Sequence, residues 1–351
     1  MKNKIVILFT LFTCVCFSQN KLLKIIEPYK DSIKDFGIVA LVENKDKVYI
    51  ENIGFGKNVL NPNDQLFCIG STSKLYISCL IMQLVEEKKL SLDDPLSKFN
   101  IIKTNENISA NITIKNLLSH SSGIQDYLTA TTFNASFLQP YEDFSRTVFY
   151  KLINTRSFAP NEKNEYSNSN YFILKEIIEE VEDKALHYVV EERIIKPLKL
   201  EHTKTYYSKN TTGLASSYAN GMNLDGFPKL GINNFSDGVG NFVTTAKELN
   251  IFIRALFFSN RLINSQSVKT LTTIAQPEGT TKNKYFGIGT LKFKNDQYNL
   301  FGYAGRTISY SSIAYVDTDS KQSFILLLNS AEFSKDAADK IIIQMIKNFK
   351  Q

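Results

Sequence analysis

Residues 68–88 read CIGSTSKLYISCLIMQLVEEK. After Ser71 the stretch is apolar on nearly every side, through Leu75, Ile77, Cys79, Leu80, Ile81, Met82, Leu84 and Val85. A helix with no polar face is a buried one. Its start carries a serine at position 71 and a lysine at position 74. Positions three apart share one face of a helix, so the amine is expected beside the hydroxyl in a place where its charge is costly. Such a lysine helps to deprotonate the serine or favours another base. The serine's own N–H, at a helix start, points where an oxyanion can form. The pattern S-x-x-K also occurs at Ser18 and Lys21. What distinguishes the second copy is Gly70 before it and the apolar helix after it, which argues against a plain serine cap with an exposed lysine.

Working outward, residues 37–56 alternate around a polar centre at Glu43–Lys47 and read as a β-hairpin. Residues 90–131 mix turns with a short helix, ITIKNLLSH, and residues 169–197 form a strongly helical block ending near Pro197. The segment 244–258 is a further helix with a threonine cap. Strand character returns over 284–293, 298–303, 308–316 and 323–329, and residues 335–349 close the chain as an amphipathic helix. Strands near both ends with helices between predict an α+β fold, an antiparallel sheet built from the two terminal parts and a largely helical insertion. The expected division is an α/β part at about 20–70 and 240–351 and a helical part at about 71–239.

Residues 1–19 carry Lys2 and Lys4, an apolar run from Ile5 to Phe17, then Ser18 and Gln19. This is the order of a secretory signal peptide, and the run is shorter than the roughly 20 apolar residues of a membrane span. The expected location is therefore periplasmic or extracellular. A retained N-terminal anchor, or acylation of Cys14 or Cys16, is the alternative. The formal charge of +6 falls to +4 without Lys2 and Lys4, and no Lys/Arg run marks a nucleic-acid surface. Cys68 and Cys79 remain. On a helix they lie roughly 12 Å or more apart, beyond the reach of about 7 Å that a disulfide needs, so free buried thiols are expected. Three histidines, at 120, 187 and 202, show no zinc spacing with the cysteines, and neither a metal nor any other cofactor is expected.

Two further motifs follow the first. Tyr166-Ser167-Asn168 offers a tyrosine whose phenol a nearby lysine can acidify enough to serve as base, and an amide for a substrate. Tyr218-Ala219-Asn220 has the same spacing, but only Tyr166 is flanked by Pro160 and the helical FILKEIIEEV. Gly302-Tyr303-Ala304-Gly305-Arg306 lies on a late strand, where glycines admit a ligand backbone or make a bulge.

In this order the three motifs resemble those of the serine β-lactamases, penicillin-binding proteins and related esterases. LSLDDPLSKF (90–99), ITIKNLLSHSSGIQDY (112–127), YSNSNYFIL (166–174), IIKPLKLEHT (194–203), GVGNFVTTAKEL (238–249) and YFGIG (285–289) are similar to segments of the class C branch. The resemblance runs over about 37–330 and implies an exported serine hydrolase acting on esters or D-amino-acid peptides and amides. It implies Ser71 as nucleophile, Lys74 as its partner and Tyr166 as general base. Asn168, Tyr303, Gly305 and Arg306 would bind substrate, with the N–H groups of Ser71 and Arg306 as the oxyanion hole. His120 is read as structural. Three departures stand out: Tyr303 replaces the usual Lys or His, Ser309 a glycine, and Asn161 the glycine after Pro160. A tyrosine carries no positive charge at neutral pH, so the cation that holds a substrate carboxylate is missing. A degenerate relative that binds peptide or peptidoglycan without turnover is the second reading.

Overall fold

The computed structural model describes residues 21–349 apart from 34–35, 46, 56–60, 101–107, 130–145, 154–156, 206–212, 220, 226–237, 276–283, 294–297 and 334. The expected signal segment 1–19 lies outside the described residues. After helical turns over residues 21–33 comes the hairpin β1 (Ile38–Asn44) and β2 (Lys47–Ile53), where the sequence predicts one. Strand β3 (Phe67–Cys68) leads into a 3₁₀ turn, Gly70–Ser73, and then into helix α1 (Lys74–Glu86). Helix α2 (Ile114–Leu118) starts at a capping box made by Thr113 and Asn116. Helix α3 spans Asn168–Glu182.

The helical block 169–197 is interrupted. Asp183 adopts a left-handed conformation, φ +50°, and closes α3, and shorter helical turns follow from Leu186 to Leu198. The short strands β4 (Lys204–Thr205), β5 (Tyr218–Ala219), β6 (Met222–Asn223) and β7 (Phe242–Thr244) precede helix α4 (Ala246–Phe258), whose N-terminus is capped by the Thr245 side chain. The segment expected as one strand over 284–293 is two, β8 (Lys284–Phe286) and β9 (Leu291–Phe293), paired antiparallel. The chain reverses at Gly287–Thr290, where Gly289 has φ +93°, a value that favours glycine. Strands β10 (Leu300–Arg306), β11 (Ser311–Asp317) and β12 (Gln322–Leu328) and helix α5 (Lys335–Phe349) complete the chain.

The main sheet runs β2-β1-β12-β11-β10-β9-β8, antiparallel at every pairing. Its inner strands are buried on both faces. In β1 and β12, Val39, Leu41, Ile325 and Leu327 join the core shared with α1, α3 and α4. Ile38, Val42, Phe324, Leu326 and Leu328 join a second core under α5, with Leu22 and Ile26. The architecture is the expected α+β one: helices pack on both faces of one antiparallel sheet. Cys68 and Cys79 are free and buried. Among the described residues no helix is long and apolar enough to cross a membrane.

Candidate active site

The turn carrying Ser71 is held on two sides by backbone from distant parts of the chain. Ile69 N–H donates to the carbonyl of Phe242 at 3.0 Å, and Phe242 N–H to Ser73 Oγ at 3.2 Å. Ser312 Oγ donates to the Ile69 carbonyl at 2.7 Å and meets Thr72 Oγ1 at 2.7 Å. Strand β10 lies so close to the turn that a Cβ on Gly305 would collide with the Ile69 carbonyl oxygen and lie 2.8 Å from Ser71 N. A Cβ on Gly70, itself at φ +50°, would lie 2.7 Å from Arg306 N. These two glycines admit the close approach of strand and turn; at Gly305 the backbone that comes close is that of the Ser71 turn, where the sequence suggested room for a ligand backbone.

Thr307 N–H donates to the Tyr310 carbonyl at 2.8 Å. Hydrogen-bonded pairs alternate along an antiparallel ladder, so the next pair, Arg306 and Ser311, is of the non-bonded kind. The N–H of Arg306 therefore faces away from β11, on the side where the ladder with β9 has already ended at Gly302. That is the side of the Ser71 turn.

Ser71 and Tyr166 are partly exposed, and Lys74 is fully buried behind them. Ser71 Oγ lies 2.6 Å from Tyr166 Oη and 3.2 Å from Lys74 Nζ. Lys74 Nζ also donates to Asn168 Oδ1 and to the carbonyl of Val239, each at 2.8 Å, and it sits 5.1 Å from the Tyr166 ring centroid. Burial lowers the Lys74 pKa to about 7, although the charge of Asp126 works in the other direction. Burial pushes the Tyr166 phenol up, only partly offset by its hydrogen bond to Ser71. The expectation that the lysine would acidify Tyr166 is thus reversed: the lysine, having no carboxylate in direct contact, is the group that loses its proton more readily.

Asn168 Oδ1 also accepts from Tyr166 Oη at 3.2 Å, while its Nδ2 donates to Asp126 Oδ2 at 3.0 Å. Tyr303 lies inside the wall of the site. It is 1% exposed, and its hydroxyl is 3.0 Å from His120 Nε2. His120 Nδ1 accepts from Ser167 N–H and Asn170 Nδ2, both at 3.2 Å, so the proton resides on Nε2 and points at Tyr303. Burial holds His120 well below its ordinary pKa, with Lys74 acting in the same direction, and its ring stacks on Tyr166 at 4.7 Å. Arg306 turns its guanidinium to the opposite face of the sheet, where Nη2 donates to the Phe333 carbonyl at 3.2 Å, so it leaves the missing cation unreplaced.

Tyr218 is remote in role as well as in sequence: it pairs with Asn223 and bridges to Ser330. Asn161 adopts φ +68°, a left-handed value that asparagine tolerates better than most residues; Ser309 does not need one, since it lies outside that region. Two participants escaped the motif search. Asp126 stands in a loop, where its only sequence signal is a lone carboxylate in GIQDY. Val239 contributes a backbone carbonyl, which has no sequence signal. Among the described residues no group of three or more His, Cys, Asp or Glu side chains is placed to hold a metal ion.

A serine turn clamped against a strand edge, with a buried lysine behind it, defines a serine hydrolase of the β-lactamase and penicillin-binding class. Residues 24–345 match the Beta-lactamase family, and the chain belongs to it. It is similar to the teichoic acid D-alanine hydrolase of Staphylococcus aureus, with 32% identity over 216 residues, 56% of this chain and 51% of that protein. It thus spans about half the length of the curated relatives it matches. Its fold is shared with a D-stereospecific amidohydrolase from Streptomyces sp. (TM-score 0.80, 24% identity, 92% of this chain and 97% of that one). It is shared also with the D-amino acid amidase from Ochrobactrum anthropi SV3 (TM-score 0.80, 19% identity, 93% and 99%).

Proposed function

We propose that the protein is an exported hydrolase that transfers the acyl group of a D-amino acid ester or amide to Ser71 and then to water. The observation that carries this reading is the triple contact of Lys74 Nζ: Asn168 Oδ1 and Val239 O at 2.8 Å, Ser71 Oγ at 3.2 Å. An ammonium has three hydrogens and fills all three contacts. A neutral amine has two hydrogens and a lone pair. The two shorter contacts retain the hydrogens, and the lone pair is left to Ser71.

Neutral Lys74 draws the Ser71 proton directly across their 3.2 Å contact, with the Tyr166 hydroxyl 2.6 Å from the same serine oxygen. Ser71 Oγ bonds to the carbonyl carbon, and the developing oxyanion is held by the N–H groups of Ser71 and Arg306. Lys74 then gives the proton to the leaving alcohol or amine, beside the Tyr166 hydroxyl, as its bond to the acyl carbon breaks. Water then repeats the sequence in reverse and frees the acid and the serine. Support for the D-amino-acid class comes from the three relatives named above. The phenol at position 303, buried against His120, supports substrates that bring no carboxylate to that wall. Support for export is the pattern of Lys2, Lys4 and the apolar run that follows.

The test is a panel of D-alanyl esters, D-amino acid amides, D-Ala-D-Ala peptides and a chromogenic cephalosporin, with a fluorophosphonate as covalent label. Esters or amides without a carboxylate are expected to lead the panel. Efficient hydrolysis of the cephalosporin or of the D-Ala-D-Ala peptides would overturn the substrate class. Ser71→Ala is expected to abolish labelling and to lower turnover by at least ~10³-fold, with Tm within a few degrees of the parent. If the parent itself is not labelled, the second reading, a binding protein without turnover, takes its place. An N-terminus near Asn20 on secreted protein supports export through a cleaved signal peptide; Met1 on secreted protein would mean export without that cleavage.

A further inference from the structure

Helix α3 begins at Asn168 without a cap from its own flank, since the Ser167 side chain makes no capping bond. The carboxylate of Asp126, from the loop after α2, fills that place. Its Oδ1 accepts from the N–H of Asn168 at 3.1 Å and of Leu128 at 3.0 Å, and its Oδ2 from Asn168 Nδ2 at 3.0 Å. A carboxylate can only accept. It therefore takes the nitrogen of the Asn168 amide and leaves the oxygen toward Lys74 and Tyr166.

We propose that Asp126 is a positioning residue for the reaction: by holding the Asn168 amide in one orientation, it keeps the lone pair of Lys74 directed at Ser71. This rests on the Ser71–Lys74 reading above. Lys74 meets Ser71 on the preceding turn, Tyr166 just before α3, Asn168 and Tyr171 from the start of α3, and the carbonyl of Val239, with His120 and Asp126 acting on it from further out. Burial keeps His120 neutral, so Asp126 is the anion of this set. Its own pKa is raised by burial and held back by the N–H groups it accepts. With Asp126 gone, the Asn168 amide is free to flip. A flipped amide offers its N–H to the Lys74 lone pair and draws it away from Ser71.

The experiment measures the rate of fluorophosphonate labelling of Ser71 against pH, together with Tm, in the full chain. Asp126→Asn is expected to slow labelling about 10- to 100-fold, the scale of a lost bond to a charged group. The acid limb should also move to lower pH, because a charge that favours the ammonium form has been removed. The exchange variant Asp126→Asn with Asn168→Asp restores the pairing in reverse: the new amide donates to the new carboxylate, whose second oxygen accepts from Lys74. In it, labelling at alkaline pH should recover most of the loss. The acid limb should move at least about one pH unit above the parent's, since the negative charge now touches the amine.

Parent rate and parent limb in Asp126→Asn would overturn the proposal. So would a loss that the exchange variant fails to recover at any pH, which would leave Asp126 as a helix cap only. A parent that does not label at all would instead remove the reading of Ser71 and Lys74 on which this rests.

Discussion

Two lysines, Lys74 and Lys175, are both buried, and they bracket the same piece of backbone from opposite sides. Lys74 is 0% exposed and meets only neutral oxygens at close range. Lys175, on α3, is 8% exposed and lies 3.0 Å from Glu176 and 2.8 Å from Glu179. Between them runs the segment 238–239. A Cβ on Gly238 would lie 2.6 Å from the Cβ of Lys175, and the next carbonyl, that of Val239, accepts from Lys74. Burial alone therefore does not make a lysine a base; the absence of a carboxylate in direct contact does. A desolvated amine without an anion favours its neutral form, while one with two carboxylates is a structural ion pair.

The sharpest way to break this contrast is to remove each amine and keep its stem. Lys74→Met should lower kcat by about 10²- to 10⁴-fold, the range of a lost general base, and should raise Tm at pH 7. The sign follows from the lowered pKa. Between pH 7 and 10.5 the folded protein binds fewer protons than the unfolded chain, so parent stability rises with pH across that window. In Lys74→Met that slope should be gone; urea unfolding at several pH values measures it. A slope that survives would show that Lys74 is not the group responsible.

Tyr166→Phe comes next. It should lower kcat by at least ~10²-fold and leave the acid limb of the rate near pH 7, where Lys74 titrates. Below that pH the amine is protonated and the base is lost. A limb that disappears in Tyr166→Phe would return the base role to the tyrosine. The smallest effect on catalysis belongs to Lys175→Met. Removing one partner of a buried pair costs about 3 kcal/mol, with Arg146 left to face Glu176, while kcat should stay close to the parent value. A large kcat loss there would mean that the segment 238–239 depends on Lys175 for more than packing.

Much of this was legible in the sequence because it is periodic or short-range. The hairpin 37–56, the apolar helix after Ser71 and the late strands are each visible from local composition, although β1, β11 and β12 are buried along nearly their whole length rather than on alternate residues. The pair Ser71 and Lys74 is visible from its spacing together with Gly70 before it and the apolar helix after it, which Ser18 and Lys21 lack. The break at Gly287–Thr290 was missed because YFGIGT is as apolar as the strands beside it, and the turn depends on backbone angles rather than on polarity. Asp126 was missed because it reaches Asn168 across 42 positions of chain, a separation that no local pattern encodes. The direction of the Tyr166 shift was misread because sequence shows which groups are neighbours but not how much water they lose.

The closeness of Gly70 and Gly305 has a consequence for the protein's birth. Ser71 leaves the ribosome early, yet the strand that closes its turn comes more than two hundred residues later. Ile38 waits longer still for Leu328, its partner in the sheet. Contacts so far apart in the chain are slow to form and costly to close. A nascent chain therefore carries its nucleophile long before it has an active site, and the reactive centre is assembled only once synthesis has passed β10.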